Sequence, residues 1–211
     1  MYIAIEGVIG VGKTTLARLL QSSFDANLLL EIFEENPFLS DFYGDRARFA
    51  FQTQIFFLLS RYHQQRKGVR EALTNNSWLL SDYTFDKDRL FAEVNLRGDE
   101  LEMYFRVHEA LAEKIIKPDL VVYLQADTDV LMQRIAQRDR PYERQMEIDY
   151  IHTLNLTYEQ HFINYPAQSC LTINTNHLDF VRHSEDFENV NQRIRQALKL
   201  APFQESLPID L

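Results

Sequence analysis

The sequence predicts an α/β fold with a central parallel sheet of about five strands flanked by helices, and three observations predict it. Short apolar runs at 2–6, 28–32, 78–81, 120–124 and 171–173 alternate with longer amphipathic segments, which is the βαβ signature of a sheet covered on both faces. A glycine-rich octet from Gly7 to Thr14 directly follows the first apolar run. The 211 residues, 45% hydrophobic and 25% charged, suit one sizeable core, so a single domain is expected over 1–200, followed by a tail at 201–211 with Pro202 and Pro208.

The first element is the strand Tyr2-Ile3-Ala4-Ile5, and the octet after it fits the pattern G-x-x-x-x-G-K-[ST]. Gly7, Gly10 and Gly12 let the backbone curl so that successive N–H groups point at a phosphate. Lys13 reaches the outer phosphates and the Thr14 hydroxyl is offered to Mg²⁺, while the helix opening at Lys13 adds its positive end. Together with Val11 and Thr15, these residues form the expected site of a nucleoside triphosphate in a P-loop fold.

In such sheets ligands sit at the carboxyl ends of the strands, so chemistry is sought at Gly7–Thr14, Glu31–Glu35, Asp82–Asp88 and Asn174–Asp179. Glu31 follows Leu28-Leu29-Leu30 and is expected to take a proton from a hydroxyl that attacks the terminal phosphate. Glu34 and Glu35 read as a solvated acidic loop. A long helix is expected over 46–73, where Gln54 and Arg61, seven residues apart, share one stripe among apolar neighbours. Those two either meet a nucleobase or satisfy backbone and surface charges.

Asp82, at the end of the third run, is placed to hold metal-bound water beside Thr14. Asp88 reads either as a helix-surface charge or as the partner of Arg61. Helices are expected over 87–95, 99–116, 128–138, 147–162 and 185–198. At and just past the end of the third of these stand Arg134, Arg138 and Arg140, guanidinium groups suited to close over a transferring phosphoryl group as a lid spanning about 134–146.

The net charge of −9 disfavours a nucleic acid polymer and favours a small substrate. Cys170 is the single cysteine, so no internal disulfide is expected; it lies in an apolar stretch and reads as core. The six histidines have no compact ligand spacing, which disfavours a zinc site. No leader pattern and no run of ~18 apolar residues is present, so a cytoplasmic protein without a membrane partner is expected.

These residues resemble the deoxyribonucleoside kinase family over nearly the whole chain. The specific parts are Glu31-Ile32-Phe33 with Glu34-Glu35-Asn36-Pro37, the helix Phe51-Gln52-Thr53-Gln54 through Leu59-Ser60-Arg61, and the lid from Arg134 to Glu143. The resemblance implies transfer of the γ-phosphoryl of ATP, with Mg²⁺, to the 5′-hydroxyl of a deoxyribonucleoside by a homodimer. It implies that Glu31 is the base, that Tyr43 and Glu143 hold the sugar 3′-hydroxyl, and that Gln54 reads the base. It also implies that Arg61 and Asp88 favour purines or cytosine over thymine, that Lys13, Arg138 and Arg140 act on the phosphoryl group, and that Arg134, Asn174 and Asp179 flank ATP.

Two departures stand out: Ile32-Phe33 replaces Pro-Val, and Asp82-Tyr83-Thr84 replaces an acid-Arg-Ser triplet. With Tyr83 at the substrate site, the missing positive charge is expected from Arg140 or another lid arginine, or else the catalytic geometry differs. Two other functions compete. A nucleoside monophosphate kinase of the thymidylate type needs a positive acceptor clamp where this chain has Glu31, and a guanine-nucleotide switch needs a lysine that Asn174-Thr175-Asn176-His177-Leu178-Asp179 lacks.

Overall fold

The structure, a computed structural model, describes residues 1–33, 35–75 and 77–201. Its strands are β1 (Tyr2–Glu6), β2 (Ala26–Leu29), β3 (Trp78–Ser81), β4 (Leu120–Gln125) and β5 (Cys170–Asn174). They form one parallel sheet in the order β2-β3-β1-β4-β5, so β1 is central. All five residues of β1 are buried, as expected for a strand covered on both faces. In register, Ile3 lies between Leu80 of β3 and Leu120 of β4.

The helices are α1 (Lys13–Phe24), α2 (Leu39–Gly44), α3 (Arg46–Thr74), α4 (Asp86–Asn95), α5 (Gly98–Ala112), α6 (Thr128–Arg138), α7 (Ile148–Ile163) and α8 (Ser184–Ala197). Their apolar stripes close one core: Leu16 and Leu20 of α1, Leu131 of α6, and Ile151 and Leu154 of α7 are buried with β1 and β4. The helix α3 begins where the Asp45 carboxylate accepts from the Arg48 N–H, satisfying one of the free donors of its first turn.

Several expectations need correction. The second strand ends at Leu29 rather than at 32, because the next polar groups are taken by side chains instead of a strand neighbour. The Leu30 carbonyl accepts from Gln64 Nε2 at 2.7 Å and the Glu31 N–H donates to Asp82 Oδ1 at 2.8 Å. The helix expected over 99–116 ends at Ala112, where Lys114 and Ile115 turn their N–H groups to carbonyls three residues back. Cys170 is half-buried rather than core. Glu34 of the acidic loop and residues 202–211 of the tail lie outside the described residues.

Candidate active site

The octet folds as a loop whose shape requires its glycines. Gly7 has φ +146°, and a Cβ there would stand 2.5 Å from the Leu124 carbonyl oxygen, so the loop packs directly on β4. Gly12 caps α1 with φ 104°, a left-handed conformation that turns the chain into the helix. The Lys13 ammonium donates to the Gly7 and Val8 carbonyls at 2.7 and 3.0 Å. Burial, aided by the neighbouring ammonium of Lys87, pushes its pKa down to about 7.

Beside this loop, Gly10, Val11, Gly12 and Thr15 border a second hollow with Asn176, Asp179 and Phe180. The Arg134 guanidinium donates to Thr175 Oγ1 at 3.0 Å and to the Thr175 and Leu178 carbonyls at 2.6 and 3.1 Å. It thus fixes the segment after β5 against α6, which leaves Arg138 and Arg140 as the lid arginines facing the main cavity. Asn174 is spent on its own turn, accepting from the Asn176 N–H at 3.0 Å, and Asn176 rather than Asn174 borders the hollow. Asp179 accepts from the Val181 and Arg182 N–H groups, which hold its carboxyl below the usual range, the Arg182 bond foremost.

The main cavity, about 700 Å³ with its mouth included, lies at the carboxyl ends of β1, β2 and β3 and suits a small-molecule substrate in size. Lys13, Thr14, Glu31, Tyr43, Gln54, Arg61, Asp82, Arg138, Arg140 and Glu143 all line it. Asp82 joins its two walls: Oδ2 accepts from the Thr14 hydroxyl and Oδ1 from the Glu31 N–H. Gln54 is buried, and among the described residues its Oε1 has no hydrogen-bond partner, which makes it an acceptor at the cavity wall.

Glu31 sits in a buried charge network. Arg61 grips its Oε1, Lys87 holds its Oε2, and Arg61 also pairs with Asp88. Burial alone would raise the Glu31 carboxyl, yet Arg61 and Lys87 together hold it well below the usual carboxylate range. Asp88, completely buried, is therefore the partner of Arg61 and not a surface charge.

At the mouth, Glu143 is buried and accepts twice from Arg138, at 2.8 and 2.6 Å, with Arg140 at 3.6 Å. Tyr43 stacks on Tyr142 with ring centroids 5.8 Å apart, and burial lifts its hydroxyl pKa well above the ordinary value. The Arg140 guanidinium lies 4.0 Å from the Phe33 ring centroid, a cation–π contact made by one of the residues replacing Pro-Val.

Tyr83 does not line the cavity. It is buried behind it, where its hydroxyl donates to Gln64 Oε1 while Gln64 Nε2 donates to the Leu30 carbonyl, bracing the approach to Glu31. Among the described residues, the cations paired with Glu31 are Arg61 and Lys87, both carried by helices, while Arg138 and Arg140 of the lid line the same cavity. Lys87 escaped the sequence reading because Asp86-Lys87-Asp88 looks like a solvated charge run. Its signal was position, one helical turn beyond Tyr83 in the first turn of a helix following a strand end. Glu6 was also missed. Its carboxylate accepts from the Gly7 N–H at 3.0 Å and from the Thr84 N–H and hydroxyl at 2.6 and 3.0 Å, tying the ends of β1 and β3 together.

Among the described residues, no group of three or more His, Cys, Asp or Glu side chains encloses a metal site. The hard oxygen pair of Thr14 and Asp82 fits Mg²⁺, an ion held by one or two protein oxygens together with substrate phosphates and water. Among the described residues, no helix is long and apolar enough to cross a membrane.

The family model for deoxynucleoside kinases matches residues 3–199. A deoxyguanosine kinase of Bacillus subtilis is 34% identical over 201 residues, covering 93% of this chain and 97% of that protein. A deoxyadenosine kinase of Dictyostelium discoideum is 31% identical, covering 92% of this chain and 78% of its own length. Among solved structures, a deoxyadenosine kinase from M. mycoides with products dCMP and a flexible dCDP bound superposes with a TM-score of 0.80 at 25% identity. The match covers 93% of this chain and all of that one.

Proposed function

This chain belongs to the deoxynucleoside kinase family, and from that premise we propose how its residues phosphorylate a deoxynucleoside. The donor is ATP, seated on the loop from Gly7 to Thr15 with its base toward Asn176, Asp179 and Phe180. The acceptor is the 5′-hydroxyl of a deoxynucleoside in the main cavity. The observation that carries this reading is the convergence there of Lys13, Glu31 and the orphaned Gln54 Oε1.

In this reading the loop amides and Lys13 cradle the phosphates, and Arg138 and Arg140 add positive charge from the lid. Tyr43 and Glu143 bind the 3′-hydroxyl. Gln54 forms a two-point contact with the base edge, and the Arg61–Asp88 pair beside it favours purines or cytosine over thymine. Mg²⁺, held by Thr14 and Asp82, would neutralise phosphate charge. Glu31 orients the 5′-hydroxyl and takes its proton. A carboxylate held so far below its usual pKa is a weak base, so the proton moves as the new O–P bond makes the oxygen acidic, consistent with a loose transition state.

The reading extends to a cytoplasmic homodimer formed through α3 and α5, where Leu59 and Met103 are exposed. The test is turnover of radiolabelled ATP with each deoxynucleoside and with dTMP. Labelled monophosphate from deoxyguanosine, deoxyadenosine or deoxycytidine in excess over thymidine is expected. Product from dTMP alone, or hydrolysis with no acceptor product, overturns the reading.

A further inference from the structure

Lys87 brings a second buried cation to Glu31. Its side chain is buried in the first turn of α4, 7% exposed, and its ammonium pairs with Glu31 Oε2. Arg61 already holds the other oxygen of that carboxylate and has Asp88 as a second counter-ion. The four groups balance in charge, two cations with two carboxylates, but among the described residues the Lys87 ammonium donates to Glu31 Oε2 alone, which leaves donors for a further anion.

The free side of Lys87 faces such a place. It borders the main cavity together with Lys13. An anion between them would meet both ammonium groups. Lys13 comes from the donor loop and Lys87 from the acceptor wall, so that position is the path of the group in transfer.

We infer, building on the kinase reading above, that Lys87 is a catalytic residue whose ammonium binds the transferring phosphoryl oxygens from the acceptor side while Lys13 binds them from the donor side. In the step, the 5′-oxygen forms its bond to the γ-phosphorus. The bond from that phosphorus to the bridging oxygen breaks with its electron pair left on ADP, and the hydroxyl proton passes to Glu31. Lys87 keeps its proton throughout. As Glu31 is neutralised its hold on the ammonium weakens, and the lysine is released toward the phosphoryl oxygens where charge accumulates.

The test compares kcat and the KM values of the full-length wild type with those of Lys87→Gln and Lys87→Arg. The glutamine still donates a hydrogen bond to Glu31 but has no charge, so it separates holding Glu31 in place from stabilising the transferred group. Lys87→Gln is expected to lose about 100-fold or more in kcat with both KM values within about threefold, and Lys87→Arg to recover to within about tenfold of wild type. Should the glutamine variant not fold, Lys87→Met removes the charge in an unbranched chain of similar length, and the same split of kcat against both KM values is read from it. A neutral variant that turns over within threefold of wild type, or loses only in nucleoside KM, overturns the inference. A wild type with no deoxynucleoside turnover would instead overturn the kinase reading itself.

Discussion

The two walls of the main cavity are built on different principles. The donor wall is mostly backbone: a loop shaped by Gly7 and Gly12, closed internally by Lys13 on two carbonyls, and drawn from eight consecutive residues. The acceptor wall is side chains: Glu31, Arg61, Lys87 and Asp88, contributed by three segments and locked to one another. The difference teaches where each wall is vulnerable. A backbone cradle tolerates changes at most of its side chains, whereas a buried ionic network punishes the removal of any member by leaving another without its counter-charge.

The largest test of that contrast is Glu31→Gln. With the carboxylate gone, kcat should fall by about 10²–10⁴ while ATP affinity, a donor-wall property, changes by no more than severalfold. Steady-state kinetics with nucleotide titration checks both; a parallel loss of ATP binding would mean that the walls are not separable. Next comes Arg61→Met, which strands Asp88 in the interior and should cost roughly 3–5 kcal/mol in urea unfolding. Adding Asp88→Ala should return part of that loss, because the stranded charge is removed, and should shift base choice toward thymidine. Additive losses would sink the locked network, and unchanged substrate ratios would remove the pair from base selection.

The smallest effect belongs to the donor wall. Burial holds Lys13 near pH 7, below its ordinary value, and a polyphosphate in the loop would raise it again. Between about pH 7 and its ordinary pKa the free protein lacks a proton that the complex carries, so ATP binding takes up ~1 proton and weakens as pH rises. Below pH 7 both forms are protonated and the uptake vanishes. Calorimetry at pH 8 in buffers of different ionisation enthalpy measures the uptake directly; none at all would mean that Lys13 is charged in the free loop.

The same contrast explains what the sequence made legible. The donor wall is local, so eight adjacent residues disclose it, and the strands β1 and β3 fall where the apolar runs begin and end. The acceptor wall depends on which charges are buried, and Asp86-Lys87-Asp88 has the composition of a surface whether or not it is one. Three other departures have local causes of their own. Tyr83 carries a hydroxyl suited to a substrate but faces the packing behind the site. The second strand stops early because tertiary hydrogen bonds from Gln64 and Asp82 outbid a strand neighbour. The six-residue helix α2 is too short to show a helical period in its sequence.

The fastening of β1 to β3 by the Glu6 carboxylate also governs length. The cradle ends β1, Asp82 ends β3, and Glu31 follows β2, the next strand outward. Neighbouring strands stand ~4.8 Å apart, so the span from donor to acceptor is counted in whole strands and cannot be adjusted by fractions of one. Loop substitutions can therefore change what is gripped at either end, while the reach between the two ends keeps the gauge of the sheet.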